Sequence, residues 1–308
     1  MAFKILTTTS SFGKVDSKPL DLLKNAGFEV VLNPHGRKLT IDESKELMAG
    51  FDGLIAGTEK LNQEVLSSAP QLKYLCRLGA GMDSVDFDAA NSLNIKVENT
   101  PSAHIDGVAE LTLGGILSCL RGIASSHSNV VSGEWKKPMG TLLRGKTLGI
   151  IGMGQVGKRL VELTKPFDLQ VLAFDLNPDP VYAEANNVII SSMNEIAEKC
   201  DIVSLHIPFS AGSKNLIDQE FLSKAKPNLM VVNASRGGLI DENALYHFLQ
   251  QNDSASAYLD TFEEEPYQGK LCELSNCTLT PHIGSYAREV RINMEMEAAQ
   301  NVINFFSK

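Results

Sequence analysis

The sequence predicts an α/β protein of two domains, each a doubly wound parallel sheet. Three observations carry that expectation. The chain has 308 residues, enough for about two domains that each bury a sizeable core. Short apolar runs alternate with helical stretches along its length, the rhythm of βαβ units. Midway, a glycine-rich turn, Gly152-Met153-Gly154-Gln155-Val156-Gly157, joins the apolar run 148–151 to a helical pattern over 158–164.

Composition narrows the class. An apolar fraction of 43% with 21% charged residues is that of a soluble globular protein. A net charge of −9 argues against nucleic acid or an anionic membrane as the main partner. Five cysteines, at 76, 119, 200, 272 and 277, form no CxxC pair and no zinc-finger spacing. Reduced, structural thiols are expected, and no metal. The start, MAFKILTTTS, has neither a basic region nor a long apolar core, so no signal peptide is expected. No apolar run approaches the ~20 residues that span a bilayer. The expectation is a cytoplasmic protein.

In chain order, the first hundred residues carry apolar runs at 3–6, 29–32, 53–56, 74–78 and 95–97. The fourth leads into Arg77-Leu78-Gly79-Ala80-Gly81-Met82-Asp83, a loop at the C-terminal end of a strand, where open α/β sheets bind ligands. It reads equally as a plain glycine turn. Pro101 disfavours helix just before it and marks a crossing between domains. A helix is expected over about 107–124, with Glu110 as a solvated or capping carboxylate. Residues 125–144, with the lone Trp135, show little periodicity and read as a surface loop or as an arm packed on a partner subunit.

A second series begins at Thr147, with runs at 148–151, 171–174, 202–205, 229–232, 257–259 and 278–280. They lead in turn to the glycine turn, Asp175, His206-Ile207-Pro208, Asn233-Ala234-Ser235-Arg236, Asp260 and Pro281-His282. Six expected strands thus deliver polar or glycine signals at one sheet edge. In the glycine turn, the first glycine allows the tight turn, the second lets a pyrophosphate approach bare backbone, and the third permits close helix packing. Amides at the helix N-terminus would face the phosphates. Asp175 stands eighteen residues past Gly157, where a carboxylate accepts from a ribose 2′-hydroxyl and repels a 2′-phosphate. Such a Rossmann-like site favours NAD over NADP. The last stretch, 287–305, reads as a helix that returns to the first domain.

Reducing a 2-keto acid beside NAD requires a cation for the carboxylate and a proton donor for the carbonyl oxygen. Arg236, in NASRGGLID, has the planar fork for the first task. His282, in TPHIGS, suits the second, with Glu265 of DTFEEEP to fix its tautomer. Singly, each has a plainer reading: a surface arginine, a solvated acidic run, a histidine satisfied by backbone.

Together, NTPSAHIDGVAELTLG, GKTLGIIGMGQVG, DIVSLHIP, NASRGGLIDENAL, LDTFEEEP and TPHIGS resemble the D-isomer-specific 2-hydroxyacid dehydrogenase family over nearly the whole chain. The resemblance implies that Arg236 holds the substrate carboxylate and carbonyl, that His282 is the acid/base, and that Glu265 pairs with it. It implies further that Asp260 lies against the nicotinamide carboxamide and that Gly79, Ala80 and Gly81 donate backbone hydrogen bonds to the substrate. Gly152, Gly154, Gln155, Val156, Gly157, Asp175, His206, Pro208, Ala234, Ser235, His282 and Gly284 would line the cofactor. For His206 a packed or capping role is equally open.

RLGAGMDSVD and the segment from Trp135 to Thr141 are most similar to the phosphoglycerate dehydrogenase branch, in which Arg77 would face a substrate phosphate. The resemblance thus makes a 3-phosphoglycerate dehydrogenase-like enzyme of serine biosynthesis the leading expectation. Two departures stand against it: AGTEK, residues 56–60, has only Lys60 where the branch carries an arginine in RSxTK, and His104 replaces asparagine. The sequence given ends at Lys308, so the branch's regulatory C-terminal domains, and serine feedback through them, are not expected. The expected organisation is a substrate domain of 1–98 plus 285–308 and a cofactor domain of 99–284, with an active-site cleft between them. A homodimer through 111–144 is implied by resemblance. The alternatives are a glyoxylate or hydroxypyruvate reductase and, from another class, an NAD(H)-sensing corepressor that binds peptides.

Overall fold

The computed structural model describes residues 2–307, and the chain divides into two compact units. The first comprises Met1–His104 with Ser285–Lys308, the second Ile105–Gly284. Both sheets are wholly parallel.

The first unit runs β1 (Lys4–Thr7), α1 (Lys18–Asn25), β2 (Glu29–Leu32), α2 (Ile41–Met48), β3 (Gly53–Ala56), α3 (Gln63–Ser67), β4 (Tyr74–Arg77), α4 (Phe87–Ser92) and β5 (Lys96–Asn99). Its strand order is β2-β1-β3-β4-β5, the flavodoxin-like order. Side chains alternate across the sheet with period two. Leu6, Leu54, Ala56 and Leu75 face one core with Met48, Val65, Leu66 and Ala90 of the intervening helices. Ile5, Ile55, Tyr74 and Cys76 face the other, against Leu23 of α1 and a stripe from the chain's end. That stripe is Val290, Met294, Ala298 and Val302, spaced every four residues on one helix face.

The second unit continues with α5 (Ile105–Arg121), α6 (Ile123–Val131), β6 (Thr147–Ile151), α7 (Gln155–Thr164), β7 (Gln170–Phe174), α8 (Pro180–Ala185), β8 (Val188–Ile190), α9 (Met193–Lys199), β9 (Ile202–Leu205), α10 (Gln219–Lys224), β10 (Met230–Asn233), α11 (Glu242–Gln251), β11 (Ser256–Leu259) and β12 (Cys277–Leu279). Helix α12 (Arg288–Phe306) then completes the first unit. The second sheet has the order β12-β11-β10-β9-β6-β7-β8. This is the Rossmann order extended by one strand, and the strand direction of travel reverses between β6 and β9. Ile150, Ala173, Ile202 and Val232 pack under α5 and α7, while Ile151, Val203, Leu205 and Val231 pack under α9 to α11.

Three expectations are corrected. The helix expected over 107–124 is two helices, bent by 62° at Gly122, whose φ of 56° lies in the left-handed region. Residues 125–131, expected to be irregular, belong to the second of these. The second sheet has seven strands rather than six, because β8 adds an edge beside β7. No single helix among the described residues is long and apolar enough to cross a membrane. All five cysteines are free.

Candidate active site

Every residue singled out in the second unit lies at the C-terminal edge of its sheet. At the reversal point, β6 runs into Gly152, whose φ is 100°. A Cβ there would stand 2.5 Å from the His206 carbonyl oxygen, and one on Gly157 would stand 2.2 Å from that of Gly152. Both glycines are therefore demanded by packing. Gly154, which caps α7, is different: a Cβ on it would meet nothing within 4 Å. The first-turn amides around Gln155 and Val156 thus begin a ten-residue helix beside open space, a setting for phosphate.

Asp175 follows β7 directly. Its Oδ2 accepts the Met153 N–H at 2.7 Å and its Oδ1 the Asn177 N–H at 2.8 Å, so the carboxylate is held against the glycine loop. Each oxygen keeps a second lone pair for a ribose hydroxyl. His206 ends β9, and its N–H donates to the Ile151 carbonyl at 2.7 Å. Its Nε2 lies 2.9 Å from Ser204 Oγ, while Nδ1 is buried with no partner among the described residues. Desolvation brings its pKa down to about 4, so the ring is neutral near pH 7. Pro208 beyond it is exposed.

The next strand end is shaped by a residue outside the expected set. Asn233, 2% exposed, accepts the Ser235 N–H and Oγ–H on Oδ1, at 3.0 and 2.8 Å, and donates from Nδ2 to the Arg236 carbonyl at 2.7 Å. This side-chain turn fixes the path of Ala234-Ser235-Arg236. Arg236, half-buried, donates from Nη1 to the Ser235 carbonyl at 2.7 Å. Gly237 is equally decisive: a Cβ there would lie 1.8 Å from the Phe262 carbonyl oxygen. Only a bare backbone lets the arginine loop rest on the loop that carries Glu265. The Arg-Gly-Gly run was the available signal for it.

Asp260 is fully buried. Its Oδ1 accepts from Thr280 Oγ1 at 2.6 Å and from the Ile283 N–H at 2.8 Å, and its Oδ2 accepts the Gly284 N–H at 2.8 Å. Burial pushes its pKa up, opposed by these donors. The carboxylate anchors the histidine loop. On that loop His282 adopts φ 55°, an uncommon conformation for a non-glycine residue. Its Nδ1 lies 2.9 Å from Glu265 Oε2 and 3.1 Å from Oε1, and Oε1 also accepts the Phe262 N–H at 3.2 Å. A carboxylate on Nδ1 requires the proton there, which leaves Nε2 to exchange one.

In the first unit, Arg77 ends β4, and Gly79, Ala80 and Gly81 lie in the loop that follows. Arg77 folds back so that Nη1 donates to the Leu78 carbonyl. Gly79, at φ 127°, donates its N–H to Thr100 Oγ1 at 2.7 Å, and Asn99 Nδ2 donates to the Ala80 carbonyl at 2.9 Å. The expected substrate amides therefore narrow to Ala80 and Gly81.

The D-isomer specific 2-hydroxyacid dehydrogenase, NAD binding domain, matches as a family model over residues 113–284. A D-3-phosphoglycerate dehydrogenase of Methanocaldococcus jannaschii is 35% identical over 86% of this chain, but the chain spans only 54% of that relative. A hydroxypyruvate reductase of Thermotoga maritima is 32% identical with 94% of both chains covered. Among solved structures, the TT0316 protein of Thermus thermophilus superposes with a TM-score of 0.91 at 30% identity, over 99% of this chain and 97% of that one. With the glycine loop, the carboxylate at the end of β7 and the Glu265–His282 pair in place, these matches settle descent: the chain belongs to the D-isomer specific 2-hydroxyacid dehydrogenase family, whose cofactor is NAD.

Proposed function

We propose that this protein interconverts a 2-hydroxy acid and its 2-keto acid with NAD. The observation that carries the reading is the His282–Glu265 pair, held at 2.9 Å on loops that Asp260 and Gly237 lock in place. The second unit fits the cofactor: Gly154 leaves open space at the N-terminus of α7, and Asp175 sits where a ribose would stand. When bound, NAD supplies the hydride chemistry at C2 of the substrate. Arg236 binds the substrate carboxylate with its fork and polarises the carbonyl. His282 Nε2 gives its proton to the carbonyl oxygen in reduction and removes the hydroxyl proton in oxidation. Glu265 holds the ring orientation and stabilises the imidazolium. Neutral His206 places no charge beside the cofactor.

Two substrate readings remain within this function. Arg77 supports 3-phosphoglycerate and a place in serine biosynthesis. An unphosphorylated acid, hydroxypyruvate or glyoxylate, is supported by the AGTEK segment, residues 56–60, whose one cation is the exposed Lys60. The NADH comparison below decides between them.

The test follows NADH absorbance with hydroxypyruvate, glyoxylate and 3-phosphohydroxypyruvate, for the wild type and for His282→Asn. Loss of a general acid–base of this kind lowers kcat by about 10²–10⁴-fold, with NADH affinity by fluorescence titration unchanged. Undiminished turnover in the variant would remove His282 from the mechanism. A wild type that binds NADH and a peptide partner but reduces no keto acid would favour a corepressor instead.

A further inference from the structure

The loop after β11 carries Glu265, and one peptide unit on it, between Phe262 and Glu263, is held at both ends. Its carbonyl oxygen is the one that a Cβ on Gly237 would meet at 1.8 Å. Its N–H donates to Glu242 Oε1 at 2.9 Å. Glu242 is the first residue of α11, and Asp241 before it caps the helix, its Oδ1 accepting the Asn243 and Ala244 N–H groups at 3.0 Å. The cap fixes where the helix begins, and Glu242 reaches from that fixed point to the loop.

The next N–H back along the loop leads to the reacting pair. Phe262 N–H donates to Glu265 Oε1 at 3.2 Å, and Glu265 Oε2 lies 2.9 Å from His282 Nδ1. All these residues belong to the second unit. The Phe262 ring stacks on Tyr267 with centroids 4.3 Å apart, so the turn is closed on that side. On the other it is not backed by packed side chains: a cavity of about 350 Å³ lies there, lined by Lys214, Asp241, Glu242, Glu263 and Tyr267 among others. The Glu242 hydrogen bond therefore fixes the tilt of the peptide where packing does not. Burial pushes the pKa of Glu242 up, the Glu263 amide pulls it down, and the carboxylates of Glu263, Glu264 and Asp241 push it up further. Nearby cations are engaged with other groups, Lys214 with Glu263 at 3.2 Å and Lys270 over the Tyr246 ring. A half-buried charge in such company needs its hydrogen bond.

We propose that Glu242 is a positioning residue for the reaction: by holding the Glu263 amide it sets where Glu265 meets His282. This rests on the dehydrogenase reading above. The plainer reading is that Glu242 only steadies α11, since an acid in the first turn suits the helix dipole. Charge and reach separate the two. Glu242→Gln removes the charge and keeps an acceptor at the same reach, whereas Glu242→Asp keeps the charge and is one methylene too short.

The experiment measures kcat and KM with NADH and whichever keto acid the wild type reduces fastest. The variants are Glu242→Gln, Glu242→Asp, Glu265→Gln and the double variant Glu242→Asp with Glu265→Gln. Rates are taken per NADH site counted by fluorescence titration, so loss of folded protein cancels. Glu242→Asp should lower kcat by about 10-fold or more with KM little changed, the scale of a misplacement of about 1 Å. Glu242→Gln should stay within about 3-fold of the wild type, since its acceptor remains. In the Glu265→Gln background, Glu242→Asp should cost less than about 2-fold more, because residues that act as a unit are not additive. Glu242→Ala, which also lacks the reach, repeats the comparison should Glu242→Asp not fold. The reverse order, with Glu242→Gln impaired and Glu242→Asp active, would assign the residue to the helix dipole and overturn the proposal. A Glu242→Asp loss that is as large without the Glu265 carboxylate as with it would also overturn it. A wild type that binds NADH and reduces no keto acid would bring down the dehydrogenase reading itself, and this proposal with it.

Discussion

His206 shows how one half-buried ring beyond β9 ties a strand end to the stability of the whole chain. Desolvation lowers its pKa from 6.5 to about 4, and no carboxylate compensates. Above pH 6.5 the folded and unfolded chains both carry it neutral, so its burial costs nothing in protons. As the pH falls below 6.5 the unfolded chain takes up a proton that the folded chain refuses until about pH 4, and stability drains away across that window. The slope is at most about 1.4 kcal/mol per pH unit, so some 2 kcal/mol should go between pH 6.5 and 5. Urea unfolding at pH 7 and pH 5 measures it. His206→Gln, which keeps a polar partner for Ser204, should remove that part of the acid sensitivity and leave stability at pH 7 less changed. Equal acid losses in both proteins would show that the ring is not held neutral. The sequence offered a histidine after a strand and left packing and cofactor roles equally open; its partnerless Nδ1 and lowered pKa depend on neighbours brought in by the fold.

At the scale of elements, strands with a bulky core on both faces were legible because their runs are largely apolar, as in 53–56 and 202–205, which match β3 and β9 residue for residue. What escaped lies where burial is poor. β8 has three residues, two of them half exposed, Ile189 at 49% and Ile190 at 47%, so it carried too little pattern to separate from the loop. Helix α6 buries none of its residues, so no apolar face distinguished it. Loops were legible for side chains of acid–base type, such as His282 and Glu265, which the structure pairs, and not for residues that act through backbone. Gly237 is the clearest. Any Cβ there would drive the Arg236 loop off the Phe262 carbonyl, which is only 1.8 Å away. Gly237→Ala should therefore cost about 1–3 kcal/mol in denaturant unfolding, as overpacking does. It should also cut kcat/KM well beyond the loss of folded protein, because Arg236 moves relative to Glu265 and His282. A variant destabilised but fully active per folded molecule would show that the two loops need not be in register for catalysis.

At the scale of the whole molecule, two parallel sheets of different strand order are each packed with helices around buried cores, yet one region stays uncovered. Helix α6 and the segment after it expose Ile123 at 57%, Val130 at 54%, Val131 at 72%, Trp135 at 82%, Met139 at 97% and Leu142 at 69%. Single exposed apolar residues are ordinary, but six within twenty residues form a patch that a monomer seldom leaves in water. The helix also contributes no side chain to either core of its unit. A second copy of the chain supplies a cover of the right character, because a symmetric pair sets the same apolar surface against itself. We infer a homodimer through this region. Light scattering after size exclusion should give twice the 33.5 kDa of the chain. Val131→Glu together with Met139→Glu should halve that mass, since each charge would be buried without a partner at the centre of the interface. A wild type that runs as a monomer at micromolar concentration would assign the patch to a different partner, and a double variant that stays dimeric would place the interface elsewhere on the chain.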